Sequence, residues 1–204
     1  MAITDWLTRC PLVAILRGIK PEEAVPIGKA LERQGIVIVE VPLNSPRPME
    51  SIALLAQECG ERLLIGAGTV MTPAQVAEIA AAGGKLIVTP HADGSLVRAA
   101  KQHGLLAVPG FFTPAEAFAM LATGADALKL FPSEAASPAV LRALRAVLPG
   151  GTAVLPVGGI DASNIPAWRA AGAAGFGIGS AIYKPGDSPE TVGAKAHALV
   201  AALT

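Results

Sequence analysis

Short runs of aliphatic and β-branched residues recur along the chain at intervals of about 20 to 25 residues, each followed by a stretch rich in Ala, Leu and Glu. This alternation constrains the fold most, because successive parallel strands need a long crossover between them, usually a helix. Eight units fit. Strands are predicted at 12–16, 36–43, 63–66, 86–89, 105–109, 127–131, 153–157 and 175–179, with helices between them. Eight βα units predict a (β/α)₈ TIM barrel, one domain over residues 1–204, with its active site where the strand C-terminal ends meet the βα loops.

Helix boundaries support the pattern. Thr72-Pro73 and Thr113-Pro114 place a capping threonine before a proline at the first helical position, and Asp161 and Ser188 are the predicted caps of the last two helices. Gly35, Gly60, Gly83, Gly104, Gly124 and Gly172 fall where helices should end, just before strands. LLIGAGTV resembles VLPVGGID about 90 residues later, so either a half-barrel duplication or chance similarity of glycine-rich turns relates the third unit to the seventh.

Composition narrows the function classes. Sixteen basic and sixteen acidic residues balance, so no net field draws the chain to nucleic acid or an anionic membrane, and small molecules are the expected partners. No apolar run reaches the length of a membrane span, and MAITDWLTRC lacks the basic segment and apolar core of a signal peptide, so a cytoplasmic protein is expected. Cys10 and Cys59 stand without paired spacing and read as packing residues.

Charges at predicted strand ends carry the chemistry. Lys129 in ADALKLFP interrupts a strand that should be continuously apolar, so it either points into the barrel or snorkels to the rim. A lysine amine attacks a carbonyl only when unprotonated, a state that burial and nearby positive charge favour. Glu40 closes the run IVIVE on the same rim and could shuttle protons beside that amine, or merely pair with Lys129 or Arg17. Arg17 ends AILRG, where its planar fork suits a carboxylate, or it is simply exposed.

Two glycine-rich turns follow the seventh and eighth strands, Val157-Gly158-Gly159-Ile160-Asp161 and Gly177-Ile178-Gly179-Ser180. Barrels commonly bind phosphate with backbone N–H groups at these two loops, although tight turns alone would use the same residues. Gly66-Ala67-Gly68-Thr69 could bring a hydroxyl and main-chain donors to a substrate carboxylate, or only lead into a helix. His91 falls at a strand end, and His103 and His197 fall in surface helices; none has a companion at metal-ligand spacing, so no metal is assigned. Phe111 and Phe112 wall a pocket or pack.

AILRGI, VEVPLNSP, GAGTV, PGFFTP, LKLFP and PVGGI, in that order from about Leu12 to Lys184, resemble the signatures of the class I aldolases that cleave 2-keto-3-deoxy-6-phosphosugar acids. The resemblance implies a homotrimeric barrel, pyruvate and glyceraldehyde 3-phosphate as cleavage products, and no metal or organic cofactor. It implies Lys129 as the Schiff-base lysine, Glu40 as acid and base, Arg17 and Thr69 near the pyruvyl group, and Gly158, Gly159, Gly179 and Ser180 around the phosphate. Of two sibling types, the one acting on the phosphogluconate-derived epimer commonly has arginine where this chain has Asn44 and threonine where it has Val157, so the chain looks like the phosphogalactonate type. His91 falls where family members vary. The rival readings are a phosphosugar isomerase or epimerase on a similar barrel, with Glu40 as base, and a noncatalytic phosphosugar-binding barrel.

Overall fold

The computed structural model describes residues 1–203. A short helix, α1 (Ile3–Arg9), precedes the alternating units and buries Ile3, Trp6 and Leu7. Then come β1 (Leu12–Ile15), α2 (Pro21–Arg33), β2 (Ile38–Pro42), α3 (Pro48–Cys59), β3 (Leu64–Gly68), α4 (Pro73–Ala81), β4 (Leu86–Val88), α5 (Gly94–Gln102) and β5 (Leu106–Val108). The chain continues through β6 (Gly110–Phe111), α6 (Pro114–Ala122), β7 (Leu128–Leu130), α7 (Pro138–Arg145), β8 (Val154–Pro156), α8 (Ile165–Ala170), β9 (Phe176–Ile178) and α9 (Pro189–Ala201).

All strand pairings are parallel, in a curled sheet ordered β5-β4-β3-β2-β1-β9 and a second ordered β6-β7-β8. The expected eight-stranded ladder is therefore not observed as one continuous sheet. The predicted fifth strand, 105–109, is observed as β5 alone; Pro109, which offers no N–H to a ladder, ends it, and β6 follows beyond the predicted bound. Between β8 and β9 a single parallel bridge, Val157 to Gly177, takes the place of a ladder. The strands are buried along almost their whole length, as an apolar parallel sheet covered by helices should be.

The threonine caps form as expected: Thr72 Oγ1 accepts the Gln75 N–H and Thr113 Oγ1 the Glu116 N–H, each at 3.3 Å. Ser188 Oγ likewise accepts the Thr191 N–H at 3.2 Å. Asp161 does not cap α8. Its Oδ1 is occupied by the Ser163 N–H at 2.8 Å and the Ser163 hydroxyl at 2.6 Å, so the helix starts later, with Asn164 at its cap position. Five of the six helix-ending glycines adopt the left-handed conformation; Gly60 stays right-handed, with φ −65°. No described helix is long and apolar enough to cross a membrane.

Candidate active site

Register places the two buried charges. Glu40 on β2 lies opposite Ile15 of β1 and Gly66 of β3, and Lys129 on β7 lies opposite Gly110 of β6 and Leu155 of β8. Glu40 is 2% exposed and Lys129 6% exposed, so neither reaches the rim as a snorkelling side chain. Both, with Ile15, Val157 and Gly177, line a narrow void inside the sheet whose floor is Ile3 of α1.

No ion pair within 4.0 Å joins Glu40 to Lys129 or Arg17 among the described residues, and Glu40 Oε2 is buried without a hydrogen-bond partner. The pairing that would have made Glu40 purely structural is thus absent. Burial pushes the Glu40 carboxyl up to about 7, against the pull of the Lys129 and Arg17 charges. Burial likewise lowers the Lys129 ammonium below its ordinary range, opposed by Glu40 and assisted by Arg17. The amine lies over the Phe131 ring, Nζ 4.5 Å from its centroid. Such a pair offers a deprotonatable nucleophile and a proton carrier poised near neutrality.

Gly68 makes room for the carboxylate. A β-carbon there would stand 2.0 Å from Glu40 Oε2 and 2.4 Å from Oε1, so any side chain at this position would displace the acid. The sequence reading used Gly68 only as part of a turn, and its role was invisible without the facing strand. Thr69, next along, adopts φ 56°, a left-handed conformation rare for a β-branched residue.

Above the void opens a cavity of about 610 Å³, lined by Arg17, Lys129, Val157, Gly158, Gly159, Gly179 and Ser180 among others. Seven of the ten residues singled out from the sequence therefore meet in one space. Glu40 adjoins it through the void shared with Lys129. Asn44 is coupled indirectly, its Oδ1 accepting a hydrogen bond from Arg17 Nη1 at 3.1 Å. Thr69 does not line the cavity.

The Gly158-Gly159 turn is braced from outside. Gly158 and Gly159 have φ 105° and 65°, and Asn164 Nδ2 donates to the Gly159 carbonyl at 2.7 Å while its Oδ1 accepts the Asp161 N–H at 3.1 Å. Sequence reading also missed Glu134, Tyr183 and Lys184, which line the same cavity. Tyr183 donates from its hydroxyl to Glu23 Oε2 at 3.1 Å, tying the loop after β9 to the start of α2. Glu134 stands two residues beyond the LKLFP run and could have been suspected as another charge near a strand end. His91 stands outside the cavity, its Nε2 4.0 Å from Asp93 Oδ2; Phe111 packs in the core and Phe112 is exposed.

The curled parallel sheet, with a buried lysine and a buried glutamate beside a glycine-lined cavity, places the chain among the aldolases. The chain belongs to the KDPG and KHG aldolase family, which it matches over residues 3–190. It is 46% identical over 198 residues to 2-dehydro-3-deoxy-6-phosphogalactonate aldolase of Escherichia coli strain K12, covering 97% of each chain. A solved structure described as native KDPGal superposes with a TM-score of 0.94 at 45% identity, covering 96% of this chain and 95% of that one. KDPG aldolase from Legionella pneumophila, captured with pyruvate as a covalent carbinolamine, has a TM-score of 0.85 at 26% identity and covers 98% of each chain.

Proposed function

We propose that this protein is a Schiff-base aldolase that reversibly cleaves 2-dehydro-3-deoxy-6-phosphogalactonate to pyruvate and D-glyceraldehyde 3-phosphate. The observation that carries the reading is the buried, unbridged Lys129 and Glu40 pair beneath a cavity with an anion-type turn at its mouth. Lys129 Nζ attacks the C2 ketone, and proton transfers through Glu40 expel water to give the iminium. Glu40 then takes the proton from the C4 hydroxyl while the C3–C4 bond breaks. Its electrons enter the iminium, leaving an enamine and the free aldehyde. Glu40 returns the proton to C3, and water hydrolyses the resulting imine to pyruvate and free Lys129.

Arg17, held by Asn44, faces the substrate carboxylate, with the Thr69 segment beside the pyruvyl group. Gly158, Gly159, Gly179 and Ser180 receive the phosphate. The phosphogalactonate epimer is favoured by the match to the Escherichia coli enzyme and by Asn44 and Val157. We further propose that the two sheets act as one closed eight-stranded barrel spanning the chain as a single domain, with the Val157 to Gly177 bridge as its seam. Assembly as a homotrimer and residence in the cytoplasm rest on the sequence resemblance and on the charged, phosphorylated substrate. The reaction as written needs no metal or organic cofactor.

Reductive trapping tests the reading. Pyruvate with sodium borohydride should inactivate the protein and leave a reduced adduct on Lys129 alone. An active preparation whose Lys129 stays unmodified would show that cleavage does not pass through an imine on this lysine.

A further inference from the structure

The strand that leads into one half of the proposed phosphate site is lightly held at its end. β9 pairs with β1 only as far as Ile178, opposite Ala14, and the single bridge from Gly177 to Val157 is its one link to β8. Gly179 and Ser180 therefore lie beyond the last pairing, and nothing stands within 4 Å of the β-carbon direction of Gly179. The segment that follows is what places them. The N–H groups of Ile182 and Tyr183 donate back to the Gly179 carbonyl at 2.9 and 3.1 Å, closing a single turn, and both side chains are buried.

That turn is latched to the helix after β1. The Tyr183 hydroxyl donates to Glu23 Oε2 at 3.1 Å, and the same oxygen accepts the Lys20 N–H at 3.1 Å, so the acceptor is itself fixed in the first turn of α2. Burial, with the Glu23 charge beside it, pushes the phenol above its ordinary value, and the hydroxyl stays a donor at neutral pH. Its one proton is spent on Glu23, so Tyr183 lines the cavity without offering that donor to a ligand. Two residues on, Pro185 Cγ lies 2.7 Å from where a β-carbon of Gly18 would stand, and Gly18 has φ 83°, a contact that only glycine allows. Asp187 Oδ2 then accepts the Lys184 N–H at 2.8 Å and pairs with Lys195 of α9. The loop after β9 is thus pinned at three places, and Tyr183 is the pin bonded directly to Gly179.

We propose that Tyr183 is a positioning residue for the phosphoryl group: the bond from its hydroxyl to Glu23 holds the turn after β9 so that Gly179 and Ser180 face the Gly158-Gly159 turn at a fixed separation. The inference rests on reading these two turns as the phosphate site. Backbone donors serve an anion best when they are aimed before it arrives, because a loop that the ligand must order takes that cost out of binding. Lys129 and Glu40 are held by the ladders of β7 and β2 and do not depend on the latch. Its loss therefore weakens the grip on the phosphorylated end of the substrate and spares the pyruvyl end.

Three variants test this, each assayed on 2-dehydro-3-deoxy-6-phosphogalactonate and on the same sugar acid without its phosphate. Tyr183→Phe removes the donor and keeps the ring, Glu23→Ala removes the acceptor and leaves the buried ring alone, and Glu23→Gln keeps an acceptor oxygen. Borohydride trapping of pyruvate first establishes that each retains a working Lys129. For Tyr183→Phe, kcat/KM on the phosphorylated substrate should fall roughly 3- to 30-fold, mostly through KM, and by far less on the unphosphorylated one. Glu23→Ala should lose the same factor, the double variant no more than either alone, and Glu23→Gln should keep most of the preference for the phosphorylated substrate. Loss of both substrates in equal measure, or a preference left intact in Tyr183→Phe or Glu23→Ala, overturns the latch while leaving the phosphate site in place. A wild type that uses the two substrates equally overturns the phosphate site, and the latch with it.

Discussion

Glu40 keeps a carboxyl group where its charge is disfavoured, and this leaves a thermodynamic trace. Between its ordinary value of 4.5 and about 7 the folded protein holds a proton that the unfolded chain has released, so stability falls as pH rises through that window. The deficit above pH 7 is on the order of 3 kcal/mol. Glu40→Gln should therefore gain about that much stability relative to the wild type between about pH 4 and pH 8 in urea melts, while its turnover falls on the order of 100-fold. Equal pH slopes for the two proteins would show that Glu40 titrates normally. Lys129 has the opposite sign. With its proton affinity lowered by burial, the unfolded chain binds more protons below 10.5, and Lys129→Met should be more stable at neutral pH and inactive. Val157 lines the cavity, buried and with its N–H shared by the Leu130 carbonyl and Ser133 Oγ, so a threonine there would present its hydroxyl to substrate from a fixed backbone. Val157→Thr is expected to move the kcat/KM ratio toward the phosphogluconate-derived epimer by roughly 5- to 150-fold, the range that one paired hydroxyl can supply. Assaying both epimers with both proteins decides it.

At the scale of elements, side chains tie strand ends together where the ladders stop. Ser133 joins the end of β7 to the residue after β8, and Thr89 Oγ1 donates to the His91 carbonyl at 2.6 Å while accepting the Gly110 N–H at 3.2 Å, linking the end of β4 to β6. Both side chains are buried; removing the Thr89 hydroxyl strands the Gly110 N–H, whereas without the Ser133 hydroxyl the Val157 N–H and the Leu130 carbonyl keep their bond to each other. Ser133→Ala should therefore destabilise the fold by only about 1 kcal/mol while loosening the Gly158-Gly159 turn, raising KM more than it lowers kcat. An unchanged denaturation midpoint would mean that water replaces the hydroxyl. These links explain what the sequence did and did not disclose. Lys129, Glu40 and Arg17 stood out because each breaks an apolar run, and the turn glycines because of where they fall after strands. Ser133 and Gly68 act through partners distant in the chain, so no local pattern marks them, and Asn164 was missed although its partners, Gly159 and Asp161, are local. Asp161 misled because its side chain found Ser163 first, a local competition that a cap rule does not weigh.

At the scale of the molecule, alternation revealed the order of units and the end of the sheet that carries the site, whereas the break at Pro109 and the single bridge at Val157 depend on how distant strands meet. If the two sheets close as one cooperative barrel, Trp6 on α1 and Trp168 on α8 should report the same unfolding transition. Trp6→Phe and Trp168→Phe variants, each followed by fluorescence and by circular dichroism, are expected to give coincident curves; separate midpoints would divide the chain into two folding units. Ile3 of α1, finally, seals the void beneath Lys129 and Glu40 with hydrocarbon. If this apolar wall keeps solvent from the enamine on that side, Glu40 is the one acid that reaches it, and from a fixed direction. Pyruvate made chiral at its methyl carbon with hydrogen, deuterium and tritium should exchange with a strong preference for one prochiral face, so that a dry apolar plug at the far end of the fold is read out as handedness in the product.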